Sequence, residues 1–300
     1  MIFTKMNKPV YKLLDWIDVS KINWKQLSLN PNAIELLKAN PDKINWDYLS
    51  LNPNAIELLT ENQHKIDWSN LSINKNVIEL LKANQDKIDW FNLSLNTDGI
   101  RILEANRDKI IWSNLSINPN AIELLKENQD KINWSSLSLN PNGIELLKTN
   151  MDNINWYNLS KNPNGIELLK ANPDKINWSL LSLNSMAINL LTKNLNKIDW
   201  YYLLKNPNSI ELLKEHRDKI KNFYNILSLN PNGIELLKEN QDKINWYNLS
   251  SNPSIFELDY KQMRINFQDL EEEIIKEVMK PRRIFRNLEL YGYDIDDMFD

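Results

Sequence analysis

Apolar and polar positions along this chain repeat every 22 residues, and each period holds two short apolar runs separated by polar punctuation. The copy from Asn45 to Ile66, NWDYLSLNPNAIELLTENQHKI, shows both runs. Asn52 followed by Pro53 is a helix start, because Asn accepts a hydrogen bond from an orphan amide and Pro suits the first helical position. Leu51 before that cap and Ile56 after it are spaced as a hydrophobic staple. Helix A is therefore expected from Pro53 to about Asn62, with Asn62 as a left-handed stop. Asp67 caps a second start, with Trp68 first and Leu71 fourth, and predicts a short helix B over Trp68–Ser72, α or 3₁₀. Neither helix is long enough to bury its apolar face alone, so neighbouring copies must stack.

The register is carried by Trp24, Trp46, Trp68, Trp90, Trp112, Trp134, Trp156, Trp178 and Trp200, each 22 residues after the last. Tyr224 follows after 24, because two residues are inserted around Lys221–Phe223, and Trp246 comes 22 later. Spaced from the caps and from the Leu49-type residues as they are, these aromatics read as structural core. Replacing one of them, such as Trp134, by alanine is expected to cost ~3–5 kcal/mol. The position that never varies is the cap of helix A: Asn30, Asn52, Asn74, Asn96, Asn118, Asn140, Asn162, Asn184, Asn206, Asn230 and Asn252. Four of the five glycines (Gly99, Gly143, Gly165 and Gly233) fall at the third position of helix A, which predicts a close backbone neighbour there.

A second architecture fits the same letters. Trp46, Leu49, Leu51, Asn54 and Ile56 match the leucine-rich-repeat pattern, an α/β solenoid. Lys161, Lys205 and Ser251 stand where that fold needs an interior leucine, and Asp98, Met186 and Ser254 where it needs its buried asparagine. A helix cap at the invariant Asn explains the pattern better, so an all-α solenoid is expected, with a longer and a very short helix per repeat.

The units NPNAIELLKANPDKINW…LS, with the ending KPRRIFRNLELYGYDID, resemble the short-tandem-repeat proteins of giant DNA viruses of the mimivirus kind. That resemblance covers about residues 20–300 and implies a viral protein made in an infected protist. It implies no activity. In shape alone, the alternation of helices is similar to leucine-rich variant repeats.

Charge and composition narrow the function. The net charge is −4, from 36 basic and 40 acidic residues, so there is no basic excess for nucleic-acid phosphates. Cysteine is absent, which removes disulfides, thiolate nucleophiles and the common zinc sites. The N-terminus lacks the apolar run of a secretory signal, and nothing reaches the ~18 apolar residues of a membrane span. The expected protein is soluble and cytoplasmic, in the infected host cell or the virion. His64 and His216 stand at unrelated phases of the repeat, the carboxylates recur with the repeat, and no phosphate loop or nucleophile elbow occurs. Neither an enzyme nor a bound cofactor or metal is expected.

The copies disagree most in the two residues after each tryptophan. Tyr and Asn recur there, and both make adaptable contacts at low entropic cost. Asp47, Tyr48, Phe91, Tyr157, Tyr201, Tyr202 and Tyr247 are therefore the candidate partner contacts. Glu35–Lys38-type pairs form acidic and basic ladders that read as solvated surface.

The full expectation is an elongated right-handed α-solenoid on the order of 100 Å long. A cap over residues 1–22, where Pro9 to Trp16 suggests a helix, precedes about eleven repeats over 23–258. A helical cap and acidic tail over 259–300 follow, with a helix starting after Asn266. The expected role is a protein-binding scaffold. A structural part of a virion or virus factory is the alternative, and a nucleic-acid-binding repeat protein the second.

Overall fold

The structure, a computed structural model, describes residues 9–280 and 283. It divides into two units: a repeat unit over Leu14–Ile255, and a terminal unit joining the segment up to Leu13 with the segment from Phe256. The described chain is an all-α repeat solenoid with very little strand.

Each repeat except the eleventh holds the expected pair, a short helix B of four to six residues and a helix A that a 3₁₀ entry turn lengthens in six copies, but the α-helical part of A starts later than expected. In one copy helix B is Trp68–Ile73, a 3₁₀ turn covers Lys75–Val77, helix A is Ile78–Lys82, and a second 3₁₀ turn covers Gln85–Lys87. The reason lies in the cap. The Asn74 side chain accepts from the amide only two residues ahead, that of Asn76, and this draws the entry into a tight 3₁₀ turn. The α-helix proper begins at the Ile that follows.

The expected left-handed stop is also absent, since Asn62 has φ −127°. It ends helix A with its side chain instead, Nδ2 donating to Leu58 O at 2.9 Å, as Asn40 does to Leu36 O and Asn84 to Leu80 O. That bond satisfies one of the orphan carbonyls of the last turn. Helix B begins as expected. Asp67 Oδ1 accepts from the Asn70 amide at 3.0 Å, and Asn45, Asp89, Asn133 and Asn245 do the same in their copies. Ile111 stands at this position in one copy and offers no side-chain cap. Ile111→Asp is expected to raise stability by about 0.5–2 kcal/mol, read as a higher midpoint of thermal or denaturant unfolding.

The buried core is a double row of leucines. Leu27, Leu49 and Leu71 from the B helices and Leu37, Leu59 and Leu81 from the A helices are wholly enclosed, and the pattern continues to Leu249. Each contributes on the order of 1.5–3 kcal/mol by leaving water. The glycines at the third position of helix A meet this core. A Cβ on Gly143 would stand 2.8 Å from Cδ1 and 2.9 Å from the carbonyl of Leu137, in the same repeat. The close neighbour is thus the repeat's own helix B.

Successive repeats are joined by a ladder of buried amides. Asn52 Nδ2 donates to Asn30 O at 2.8 Å and to Ser28 O at 3.0 Å, while its Oδ1 accepts from the Asn54 amide. Each of the eleven invariant asparagines is buried and makes the same three bonds to its own turn and to the repeat before it. Beside it runs a row of buried serines. Ser50 Oγ donates to Trp46 O and accepts from the amide of Asp67, in the next repeat.

The ladder has no open end. Asn30, in the first repeat, donates to Asn252 O at 2.8 Å and to Ser250 O at 3.2 Å, in the last. The Asn23 amide donates to Ser250 Oγ as the Asn45 amide does to Ser28 Oγ. Asn32 Nδ2 donates to Pro253 O as Asn54 does to Pro31 O. Lys21 Nζ lies over the Trp246 ring as Lys43 lies over Trp24. Four separate contacts therefore place the eleventh repeat where a predecessor of the first belongs. The repeat unit is a closed ring, which overturns the expected elongated array. A similar turn at each joint, held by the asparagine ladder, brings the eleventh repeat back to the first.

The terminal unit has a strand where a helix was expected. Tyr11–Leu13, expected in a helix, forms an antiparallel pair with Phe256–Leu258 in the register Tyr11↔Leu258. Pro9 lacks an amide donor and Val10 and Tyr11 favour extended backbone, so pairing with a partner strand wins over a short isolated helix. A helix follows over Tyr260–Val278, capped by Asp259, whose carboxylate accepts from the Gln262 amide. It begins well before the expected Asn266. The predicted basic turn and acidic tail beyond Arg283 lie outside the described residues.

A candidate binding row on the B helices

The tryptophans do not form the enclosed core. Trp24, Trp46, Trp68, Trp90, Trp112, Trp134, Trp156, Trp178, Trp200 and Trp246 are all half-buried, and the leucines fill the interior. Several carry a lysine ammonium over the ring: Lys43 over Trp24 at 4.5 Å, Lys87 over Trp68 at 4.5 Å and Lys197 over Trp178 at 4.4 Å. At a partly exposed site each such contact is worth ~0.5–1 kcal/mol. Trp134→Ala is therefore expected to cost about 2–3 kcal/mol, below the figure for an enclosed ring, as measured by chemical denaturation.

The two variable positions after each tryptophan have different jobs. The first points outward: Asp47 is exposed, and Phe91, Tyr157, Tyr201 and Tyr247 expose 57%, 59%, 40% and 49% of their surface. The second is half-buried or buried, and an Asn there ties its helix to the one before. Asn70 Nδ2 donates to Asp47 O, Asn92 to Ser69 O, Asn114 to Phe91 O, Asn158 to Ser135 O and Asn248 to Asn225 O, at 2.8–3.0 Å. Tyr48 and Tyr202 occupy this second position. Tyr48 lies under Lys25 Nζ at 4.8 Å, and Tyr202 meets the edge of Tyr201.

Five of the seven candidate contacts thus share one register position, and B helices of successive repeats pack directly on one another. The outcome is one row, reading Lys25, Asp47, Ser69, Phe91, Ser113, Ser135, Tyr157, Ser179, Tyr201, Asn225 and Tyr247 around the repeat unit, exposed throughout except at the half-buried Ser179. Its densest aromatic part is at Tyr201, 5.6 Å from Tyr202 and 5.9 Å edge-on from Phe223, with Lys205 Nζ 5.3 Å from the Tyr201 ring. Phe223 comes from the two-residue insertion. Leu204 stands in the same copy where the others have the bridging serine, so the loss of that acceptor and the extra residues are one local change.

The charged ladders lie on the A helices and are exposed. Lys126–Glu123, Lys148–Glu145 and Lys170–Glu167 pair within one helix at 2.7–2.8 Å, each worth ~0–1 kcal/mol. Lys38 bridges two repeats through Glu35 and Glu57. Partial burial lowers its pKa, but the Glu35 hydrogen bond and charge, helped by Glu57, outweigh this and hold it above the usual lysine value.

His216, in place of a helix-ending Asn, packs edge-on against Trp200 at 5.1 Å, and His64 is exposed. Among the described residues no group of three or more His, Cys, Asp or Glu is placed to hold a metal, and no helix is long and apolar enough to cross a membrane. Comparison of the chain with protein-family models, curated proteins and solved structures gave no match.

Proposed function

We propose that this protein is a non-enzymatic repeat scaffold that binds a protein partner through the exposed row on its B helices. The observation that carries this reading is the contrast within helix B. The tryptophan before the row recurs in all but one copy and the buried leucine after it in every copy, whereas the row itself varies and holds four exposed aromatics. Exposed Tyr and Phe interleaved with Ser and Asn are the side chains of adaptable recognition surfaces. The resemblance to giant-virus repeat proteins makes the infected host cell the place to look.

The test is capture from infected cells with the wild-type protein and with a Phe91→Ser/Tyr157→Ser/Tyr201→Ser/Tyr247→Ser variant. A partner held by the first and lost from the second, with unchanged circular dichroism, supports the reading. Equal capture by both refutes it. Fractionation only with particles would favour the virion role, although a closed ring cannot lengthen at its ends as a spacer rod would.

A further inference from the structure

In a closed ring of equivalent repeats, the separation between matching atoms of neighbours grows in proportion to their distance from the ring axis. Several B helices of neighbouring repeats pack together, with Asn70, Asn92 and Asn158 bridging them, and the 3₁₀ turns that open the A helices meet as well, whereas the bodies of the A helices stand further apart. A groove between two of the latter is lined by Lys75, Ile78, Glu79, Lys82, Asp98 and Arg101. The B helices are therefore the inner layer of the wall and the A helices the outer one. Within helix B the enclosed leucine, such as Leu159, points into the wall, and the row residue two positions earlier, Tyr157, lies about 200° around the helix from it. The row faces away from the A layer.

We propose that the row lines the inside of the ring and that its occupant is a single slender stretch of polypeptide, extended or one helix thick. This rests on the scaffold reading above and adds where the partner sits and what shape it must have. Eleven helices packed ~8–10 Å apart put their axes roughly 14–18 Å from the centre. Subtracting a helix half-width of ~5–6 Å leaves an opening on the order of 16–26 Å across. A helix ~10–12 Å wide passes through it. A folded domain of a hundred residues, with a radius of gyration of ~13 Å, does not. The row's chemistry selects polypeptide over a phosphate backbone. It holds one lysine, Lys25, against one aspartate, Asp47, and the rest is Ser, Asn, Tyr and Phe. A strand of phosphates would meet no basic track.

Two measurements test this. The chain has no cysteine, so Tyr157→Cys on the row and Glu145→Cys on an A helix each add a single thiol. Both are expected to react alike with N-ethylmaleimide, while a long polyethylene-glycol maleimide labels the row thiol roughly tenfold more slowly. Equal labelling by the long reagent overturns the inside placement and leaves the scaffold reading standing. The occupant is then probed with a displayed library of random linear peptides having one free end. Selected peptides are expected to bind the wild type, to lose at least tenfold in affinity to a Tyr157→Ser/Tyr247→Ser variant (~1.4 kcal/mol), and to keep their affinity for Glu145→Ser. They should also fail to bind once a folded domain is fused to both ends. Binding that survives double fusion, or selection of no peptide while a single-stranded oligonucleotide binds, overturns the proposed occupant. Peptides indifferent to the row substitutions would refute the scaffold reading itself.

Discussion

Replacing Asn140 by alanine is expected to remove about 3–5 kcal/mol of stability, the largest loss from any single polar substitution in the repeat unit. The side chain is fully buried and makes three bonds: Nδ2 donates to Ser116 O at 3.0 Å and to Asn118 O at 2.8 Å, and Oδ1 accepts from the Asn142 amide at 2.9 Å. Alanine leaves backbone groups of two repeats short of a partner where water cannot follow, at ~1–3 kcal/mol for each unsatisfied group. The isosteric change Asn140→Asp is the sharper experiment. It keeps the acceptor, deletes both donors and sets a carboxylate oxygen against two carbonyls, so its cost should equal or exceed that of alanine. Asn133→Asp, seven residues earlier, should be nearly neutral, because only its Oδ1 is used, accepting from Ser136. Denaturant unfolding followed by far-ultraviolet circular dichroism compares the three. Similar losses for both aspartates would contradict the ladder.

That contrast is also where the sequence was most legible and least fully read. Position by position, the copies located both helices, the start of helix B and the unit of repetition. The invariant Asn reads as a cap, and it is one, but capping alone does not explain its invariance. A cap needs only an acceptor, which is why the start of helix B accepts Asn45 or Asp67 without harm. A position where Asp never appears is one where the amide donors are used too, and the letters contained that signal. Ser28, Ser50 and Ser72 recur at one position of the repeat as well, and their burial shows only in the structure. Two other features were hidden. A strand over Tyr11–Leu13 depends on a partner at Phe256–Leu258, which no local pattern reveals. Whether an array closes depends on the turn added per repeat, a small angle set by side-chain contacts across each joint. In the candidate site, the alternation of an outward residue with a tying Asn separated five contacts from Tyr48 and Tyr202 only once the bonds were visible.

Closure itself predicts an all-or-none result. Lys25 and Tyr247 occupy the same row position in the first and last repeats, as Lys25 and Asp47 do in two consecutive ones. In the ring both pairs are neighbours, so Lys25→Cys/Tyr247→Cys and Lys25→Cys/Asp47→Cys should be joined by a short bismaleimide with equal yield. In an open array the first pair would stand ten steps of ~8–10 Å apart, on the order of 80–100 Å, far beyond the reagent. The absence of native cysteine makes the readout clean, and a joined chain migrates differently on a denaturing gel. An energetic measurement accompanies it. Asn30 in an open array would be an end residue, and Asn30→Ala would remove a cap worth ~1 kcal/mol. In the ring Asn30 donates to Ser250 O and Asn252 O like any other rung, so the same change should cost about 3–5 kcal/mol, matching Asn140→Ala. A low cost together with no cross-link would show a chain whose first and last repeats do not meet, and the enclosed row would then lie on an open surface.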